Sequence, residues 1–161
     1  PLGEFLAAHP GRLTLVVCPD VQDPENLGAI IRLSRAFGVD GLVLGGQCAN
    51  PFSRRVLRVS MGTVFRLPLF DCPDLATAFD EFRQAGVQTA ATVLDPAAET
   101  LAGSTRPERF ALLFGSEGHG IAPQWIEACD RRITIPMQGG TDSLNVAVAA
   151  GICLHYFCAS R

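Results

Sequence analysis

The chain has 161 residues, 48% of them hydrophobic with ten Phe, and a formal net charge of −3. Such a length and composition fit one domain with a continuous core, and they exclude a disordered chain, because the 16 Gly and 11 Pro separate periodic segments and form no tracts. All 13 basic residues are Arg, and the weakly acidic balance is not that of a strongly basic nucleic-acid binder.

LTLVVC at 13–18 predicts a strand, and VQDPENLG at 21–28 a loop. LGAIIRLSRAF at 27–37 predicts a helix that Gly38 ends. GLVLGG at 41–46 reads as a short buried strand. FSRRVLRVSMG at 52–62 reads as a helix with Arg54, Arg55 and Arg58 outward. VFRLPLF at 64–70 contains a third strand, limited by Pro68. Residues 73–85 predict a helix with Pro73 in its first turn.

QTAATVL at 88–94 predicts a strand, 95–108 a polar connection, and RFALLFG at 109–115 a strand. PQWIEACD at 123–130 predicts a short helix, RITIPM at 132–137 the last strand, and SLNVAVAAGICLHYFC at 143–158 the last helix. Strands alternating with helices over short connections argue an α/β sheet with helices on both faces.

Cys18, Cys48, Cys72, Cys129, Cys153 and Cys158 form no CxxC, and His9, His119 and His155 are far apart. Neither a zinc site nor a disulfide framework is indicated, and no metal is expected. Thiols in apolar segments act as small core groups and fit a reducing, cytoplasmic setting. No signal peptide is visible, and the apolar C-terminal helix is too short to span a bilayer comfortably, so no membrane partner is expected.

Arg32, Arg35, Arg54, Arg55, Arg58 and Arg66 lie in one window opposed only by Asp40. A local cationic face and scattered solvated arginines are both open readings. The usual nucleotide motifs are missing. GSEGHG places Gly115, Gly118 and Gly120 at the wrong spacing for GxGxxG, and no Lys is present to serve a phosphate loop. There is no GxSxG either. Two glycine-rich loops, GSEGHG and the QGGTD stretch before Ser143, instead follow apolar strands. Ser143, Leu144 and Asn145 fall where a loop opens into a helix, so they cap it, hold a ligand, or do both.

Three blocks then stand out: DPENLGAIIRLSRAFG (23–38), LLFGSEGHGI (112–121) and ITIPMQGGTDSLNVAVAAGI (133–152). In order and spacing the chain resembles the SpoU/TrmH family of RNA methyltransferases, within the SPOUT class, over nearly its whole length. It departs in Ala at VAVAA, where many relatives carry Ser, and in the polar GGTD stretch. The resemblance implies a mostly parallel α/β sheet with a deep C-terminal trefoil knot, which general topology rules would argue against. It implies a homodimer that transfers methyl groups from S-adenosyl-L-methionine to a ribose 2'-hydroxyl of tRNA or rRNA. The chain is expected to be one catalytic domain, 1–161, without the N-terminal RNA-binding domain of relatives.

The resemblance assigns roles residue by residue. Arg32 is the family's catalytic arginine. One reading has it assist removal of the 2'-hydroxyl proton. The other has it hold a phosphate or a developing alkoxide, since a guanidinium is always protonated. Asn26, otherwise an N-cap or turn residue, orders Arg32 or the ribose. Glu117, otherwise an exposed turn acid, holds the active-site loops. Ser143 and Asn145 add cofactor or nucleotide contacts to capping. Leu94, Phe114, Gly115, Ile135, Met137, Ser143 and Leu144 form the cofactor pocket, each otherwise plain core or loop. Arg35, Arg54, Arg55, Arg58 and Arg66 contact RNA phosphates. His119 is a loop residue and not a base. Two alternatives stay open: a catalytically silent RNA-binding protein of the same fold, and a base-methylating enzyme of the class.

Overall fold

The computed structural model describes residues 1–140 and 143–159. Seven parallel strands form one sheet: β1 (Leu13–Cys18), β2 (Gly41–Leu44), β3 (Leu69–Asp71), β4 (Gln88–Thr92), β5 (Glu99–Thr100), β6 (Arg109–Leu113) and β7 (Arg131–Thr134). Their spatial order is β3-β2-β1-β6-β4-β7-β5. Every pairing is parallel, with Val16 opposite Leu42 on one side and Leu112 on the other. Both faces are covered, as an all-parallel sheet requires. Val16 and Cys18 point to a layer made by α2 (Pro24–Ala36), α3 (Arg54–Val59) and α6 (Val146–Cys158). Leu13, Leu15 and Val17 point to α1 (Leu2–Ala8), α4 (Leu75–Gln84) and α5 (Pro123–Ala128).

The α/β architecture agrees with the sequence; several boundaries do not. α2 begins three residues before the expected Leu27, because Asp23 accepts the Glu25 backbone N–H at 2.7 Å and Pro24 supplies a ready first turn. Asn26 is therefore no cap. It is buried inside the first turn. The segment 64–70 does contain the start of a third strand, β3, which begins just past Pro68, and a 3-10 turn, Thr63–Arg66, takes up the residues before it. The turn is anchored by the Thr63 hydroxyl, which donates to the Ser60 carbonyl at 2.6 Å.

The polar connection 95–108 holds β5, tied to β7 by Arg131, whose guanidinium donates to both Glu99 oxygens at 2.8 and 3.1 Å. α1 had no sequence signal beyond Leu2 and Leu6, which it buries. The expected last strand stops at Thr134, leaving Ile135–Met137 as connection, and α6 starts at Val146 behind an Asn145 cap. The trefoil knot implied by the resemblance concerns the path from β7 into α6. Thr141 and Asp142 of the GGTD stretch, on that path, lie outside the described residues.

Candidate active site

β4, β6 and β7 are neighbours and parallel, so their carboxyl ends open together at one edge. In open α/β sheets this is where ligands bind, because the connections leave a crevice beyond the strand ends. A cavity of about 540 Å³ sits there, within the range of small-molecule and cofactor sites. Leu94 follows β4, Phe114 and Gly115 follow β6, and Ile135 and Met137 follow β7; all five line the cavity. Ser143 and Leu144, just before α6, complete its wall. The seven positions named for the cofactor pocket thus converge on one space. Among the described lining residues there is no Lys or Arg, and Glu117 is the sole carboxylate.

Gly115 has a reason the sequence did not reveal. A Cβ there would collide with the Gly120 carbonyl and the Ile121 nitrogen. The 115–121 loop folds back on itself, with Ser116 and Gly120 exchanging backbone hydrogen bonds at 3.1 and 2.8 Å. Gly120, at φ 65°, makes the left-handed turn that this closure needs. The glycine is demanded first by the chain's own return, and the return shapes the cavity wall.

One amide organises the polar rim. Asn145 Oδ1 accepts from the backbone N–H groups of Ala147 (2.9 Å) and Val148 (3.2 Å), capping α6. Its Nδ2 donates to Asn26 Oδ1 at 2.9 Å and Glu117 Oε1 at 2.6 Å. The cap fixes which end of the amide faces the helix, so the donor end must face the two acceptors. Asn26, Glu117 and Asn145 therefore form a cluster joining α2, the loop after β6 and the start of α6. Capping and site-building are both true of Asn145.

Arg32 is placed differently. It is exposed on α2, lines no part of the cavity, and makes no hydrogen bond or ion pair among the described residues. Arg35, Arg54, Arg58 and Arg66 are exposed as well. Arg55 is exposed but ion-paired to Glu25. His119 lines the cavity with the rest of its loop.

Sequence reasoning missed Thr92, Ile121, Ile126 and Ala149 in the lining. The Thr92 hydroxyl donates to the Leu113 carbonyl at 2.7 Å, clamping the ends of β4 and β6. A threonine at a strand end is too common for its type to signal that. Among the described residues no group of three or more His, Cys, Asp or Glu could hold a metal ion, and no helix is long and apolar enough to cross a membrane. No disulfide is formed among the described residues. Burial pushes the Cys48 thiol up to about 11 and the Cys129 and Cys153 thiols up to about 12.

Comparison with known proteins agrees with this geometry. The SpoU rRNA methylase family model matches residues 13–155. The chain is 39% identical over 140 residues to the 23S rRNA (guanosine-2'-O-)-methyltransferase RlmB of Nitrosomonas europaea, covering 87% of this chain and 54% of that protein. The AdoMet-bound rRNA methyltransferase from Sinorhizobium meliloti superposes with a TM-score of 0.85 at 34% identity, over 97% of this chain and 59% of that one. The SpoU methyltransferase AviRb from Streptomyces viridochromogenes gives 0.85 at 28% identity, over 94% and 61%. The chain spans about half the length of the curated relatives it matches. A family model spanning most of the chain, a parallel sheet of the same fold and a cavity at its strand ends make this chain a member of the SpoU rRNA methylase family.

Proposed function

We propose that the chain is the catalytic domain of an enzyme that transfers a methyl group from S-adenosyl-L-methionine to a ribose 2'-hydroxyl of tRNA or rRNA. One observation carries the reading: the seven positions expected to hold the cofactor line a single cavity beyond β4, β6 and β7. Its walls are mostly apolar side chains, with Thr92, Ser116, Glu117, His119 and Ser143 as polar members and no Lys or Arg to neutralise phosphate. Such a lining suits an adenosyl group and not a nucleotide diphosphate. The names of relatives point the same way, to guanosine 2'-O-methylation and to an AdoMet-bound state.

The bound cofactor supplies an electrophilic methyl on a sulfonium. The chain's own work is orientation and field. Leu94, Phe114, Ile135 and Leu144 hold the adenosyl part by shape. The closed 115–121 loop presents backbone polar groups. The Asn26–Asn145–Glu117 cluster keeps loop and helices in register. Arg32 stabilises the negative charge that develops at the ribose oxygen as its proton passes to solvent water and the methyl leaves sulfur, because a guanidinium gives up no proton and is a poor base.

An exposed Arg32 outside its own cavity fits a homodimer in which one subunit lends the arginine to the site of the other. The trefoil knot belongs to the same reading. The segment after β7 returns beside the 115–121 loop, where Asn145 is bonded to Glu117, before it enters α6. Thiols without a disulfide among the described residues suit a cytoplasmic setting.

Methyl transfer from labelled S-adenosyl-L-methionine to unmodified total tRNA and rRNA, with digestion to nucleosides, tests the proposal. A 2'-O-methyl nucleoside is expected. A methylated base, or cofactor binding without transfer to any RNA, would replace this reading with one of its alternatives.

A further inference from the structure

Away from the cavity, one exposed surface carries two stacked aromatic rings. Phe52 and Phe65 are 56% and 71% exposed, and their rings stack with centroids 6.2 Å apart at 30°. Burying such rings is normally favourable, so a stacked pair left in water is an unsatisfied surface. Met61, between them in sequence, is 70% exposed and sits at φ 53°, the single non-glycine residue with positive φ among the described residues.

Met61 occupies the residue after the cap of α3. Its N–H bonds the Arg58 carbonyl at 3.2 Å, and the Gly62 N–H bonds the Leu57 carbonyl at 3.2 Å. That closing turn ordinarily takes glycine, because a side chain there is strained. Here the strain goes with an apolar side chain held out in solvent.

The stretch of chain that carries the rings is cationic. Between Asp40 and Asp71 the chain carries Arg54, Arg55, Arg58 and Arg66 and no carboxylate. All four are exposed, and Arg55 alone is ion-paired, to Glu25. A protein partner would be met by an apolar patch with a mixed-charge rim. Aromatic faces among arginines match an unpaired nucleic-acid strand, which needs π-faces for its bases and cations for its phosphates.

We propose that Phe52 and Phe65 form a stacking platform for an unpaired RNA base, with Arg54, Arg58 and Arg66 holding the flanking phosphates. The platform extends the RNA-methyltransferase reading and rests on it. It gives the domain a preference for single-stranded or looped RNA over a continuous duplex, whose bases are already stacked.

The test uses the chain as it stands and an unmodified mixed-sequence single-stranded RNA 15-mer carrying one 2-aminopurine. Wild type is expected to bind it more tightly than the same strand in a duplex, with a change in 2-aminopurine fluorescence. Phe65→Ala and Phe52→Ala should each weaken binding by roughly 5- to 150-fold, the loss of one stacked base, with the salt dependence unchanged. Phe65→Trp should restore it. Arg54→Ala should weaken binding and lower the salt slope by about one.

Calorimetric S-adenosyl-L-methionine binding and sedimenting mass should stay as in wild type in each variant. Wild-type RNA affinity in both Phe→Ala variants would overturn the platform while leaving the methyltransferase reading intact. A loss of sedimenting mass in those variants would overturn it in favour of an interface between copies. Failure of wild type to bind RNA or to methylate any RNA would remove the underlying reading, and the platform with it.

Discussion

Asn145 donates to Asn26 across 2.9 Å, joining the start of α6 to the first turn of α2 although 119 residues separate them. The same side chain donates to Glu117 and accepts two backbone N–H groups of α6. All its hydrogen-bonding groups are in use, so it cannot serve one role and be released from the other.

Replacing Asn145 by Ala removes the α6 cap and the bridge together. The melting temperature should fall by roughly 3–8 °C, from the ~1–2 kcal/mol typical of a lost cap. Methyl transfer should fall with it. Asn145→Asp separates the two functions. It keeps the acceptor for the α6 N–H groups but turns an oxygen toward Glu117 Oε1 and Asn26 Oδ1. Two carboxylates side by side resist ionising together, so folded-state carboxyl pKa values in this variant should rise. Stability from a raised pKa is present at low pH and lost as pH climbs through it. The variant should therefore melt closer to wild type at pH 5 than at pH 7, as followed by circular dichroism. An equal gap at both pH values would contradict the bridge.

Gly115→Ala should be severe, because the new Cβ has the Gly120 and Ile121 backbone in its way. Loop reopening should abolish cofactor binding by calorimetry and cost a few kcal/mol, about the upper range for single substitutions. Gly118→Ala is the internal control. Nothing in the chain lies within 4 Å of its added Cβ, and stability should change little.

Arg32→Ala should leave folding within about 0.5 kcal/mol, as for an exposed residue without partners. Cofactor affinity should be untouched, since Arg32 lines no part of the cavity. Methyl transfer should drop about 100-fold or more, the scale of losing a donor aimed at developing charge. If the arginine is lent across a dimer, mixing Arg32→Ala subunits, which retain their cavity, with Gly115→Ala subunits, which lose the cavity but retain Arg32, should restore activity that neither variant has alone. No recovery in the mixture would argue that each arginine serves its own chain.

The thiols carry an alkaline prediction. Burial lifts Cys48 to about 11 and Cys129 and Cys153 to about 12, above the value near 9 of an unburied thiol. A raised acid pKa means the folded state holds its proton while the unfolded chain gives it up. The stabilisation is complete below pH 9 and lost progressively as pH rises toward 11–12. Thermal melts should show declining stability across that window. At pH 8, iodoacetamide should label these three positions far more slowly than the unfolded chain.

The apolar runs pointed to the right strands, because buried parallel strands are apolar whatever surrounds them, and LTLVVC and RFALL are such runs. The block at 133–152 also pointed to Asn145 as a cap, since capping is local chemistry. Local pattern failed where competing interactions were local too. Asp23 and Pro24 out-competed Asn26 for the start of α2. Around Pro68 the expected third strand is present as Leu69–Asp71, and the Thr63 bond to Ser60 makes a 3-10 turn of the residues before it.

Residue types, apolar periodicity and turn chemistry thus determined the α/β alternation, the two glycine-rich loops and the polar residues at their ends. Whether those ends meet was decided only by strand order, which places β4 between β6 and β7 and carries α6 back onto α2. Strand order is a matter of contacts between residues far apart in the chain. A linear pattern holds no distance between Asn26, Glu117 and Asn145; packing of the two helical layers on one sheet sets it. The same packing leaves Arg32 outside the cavity and Phe52 on Phe65 in solvent, and neither placement is written in the spacing of the residues.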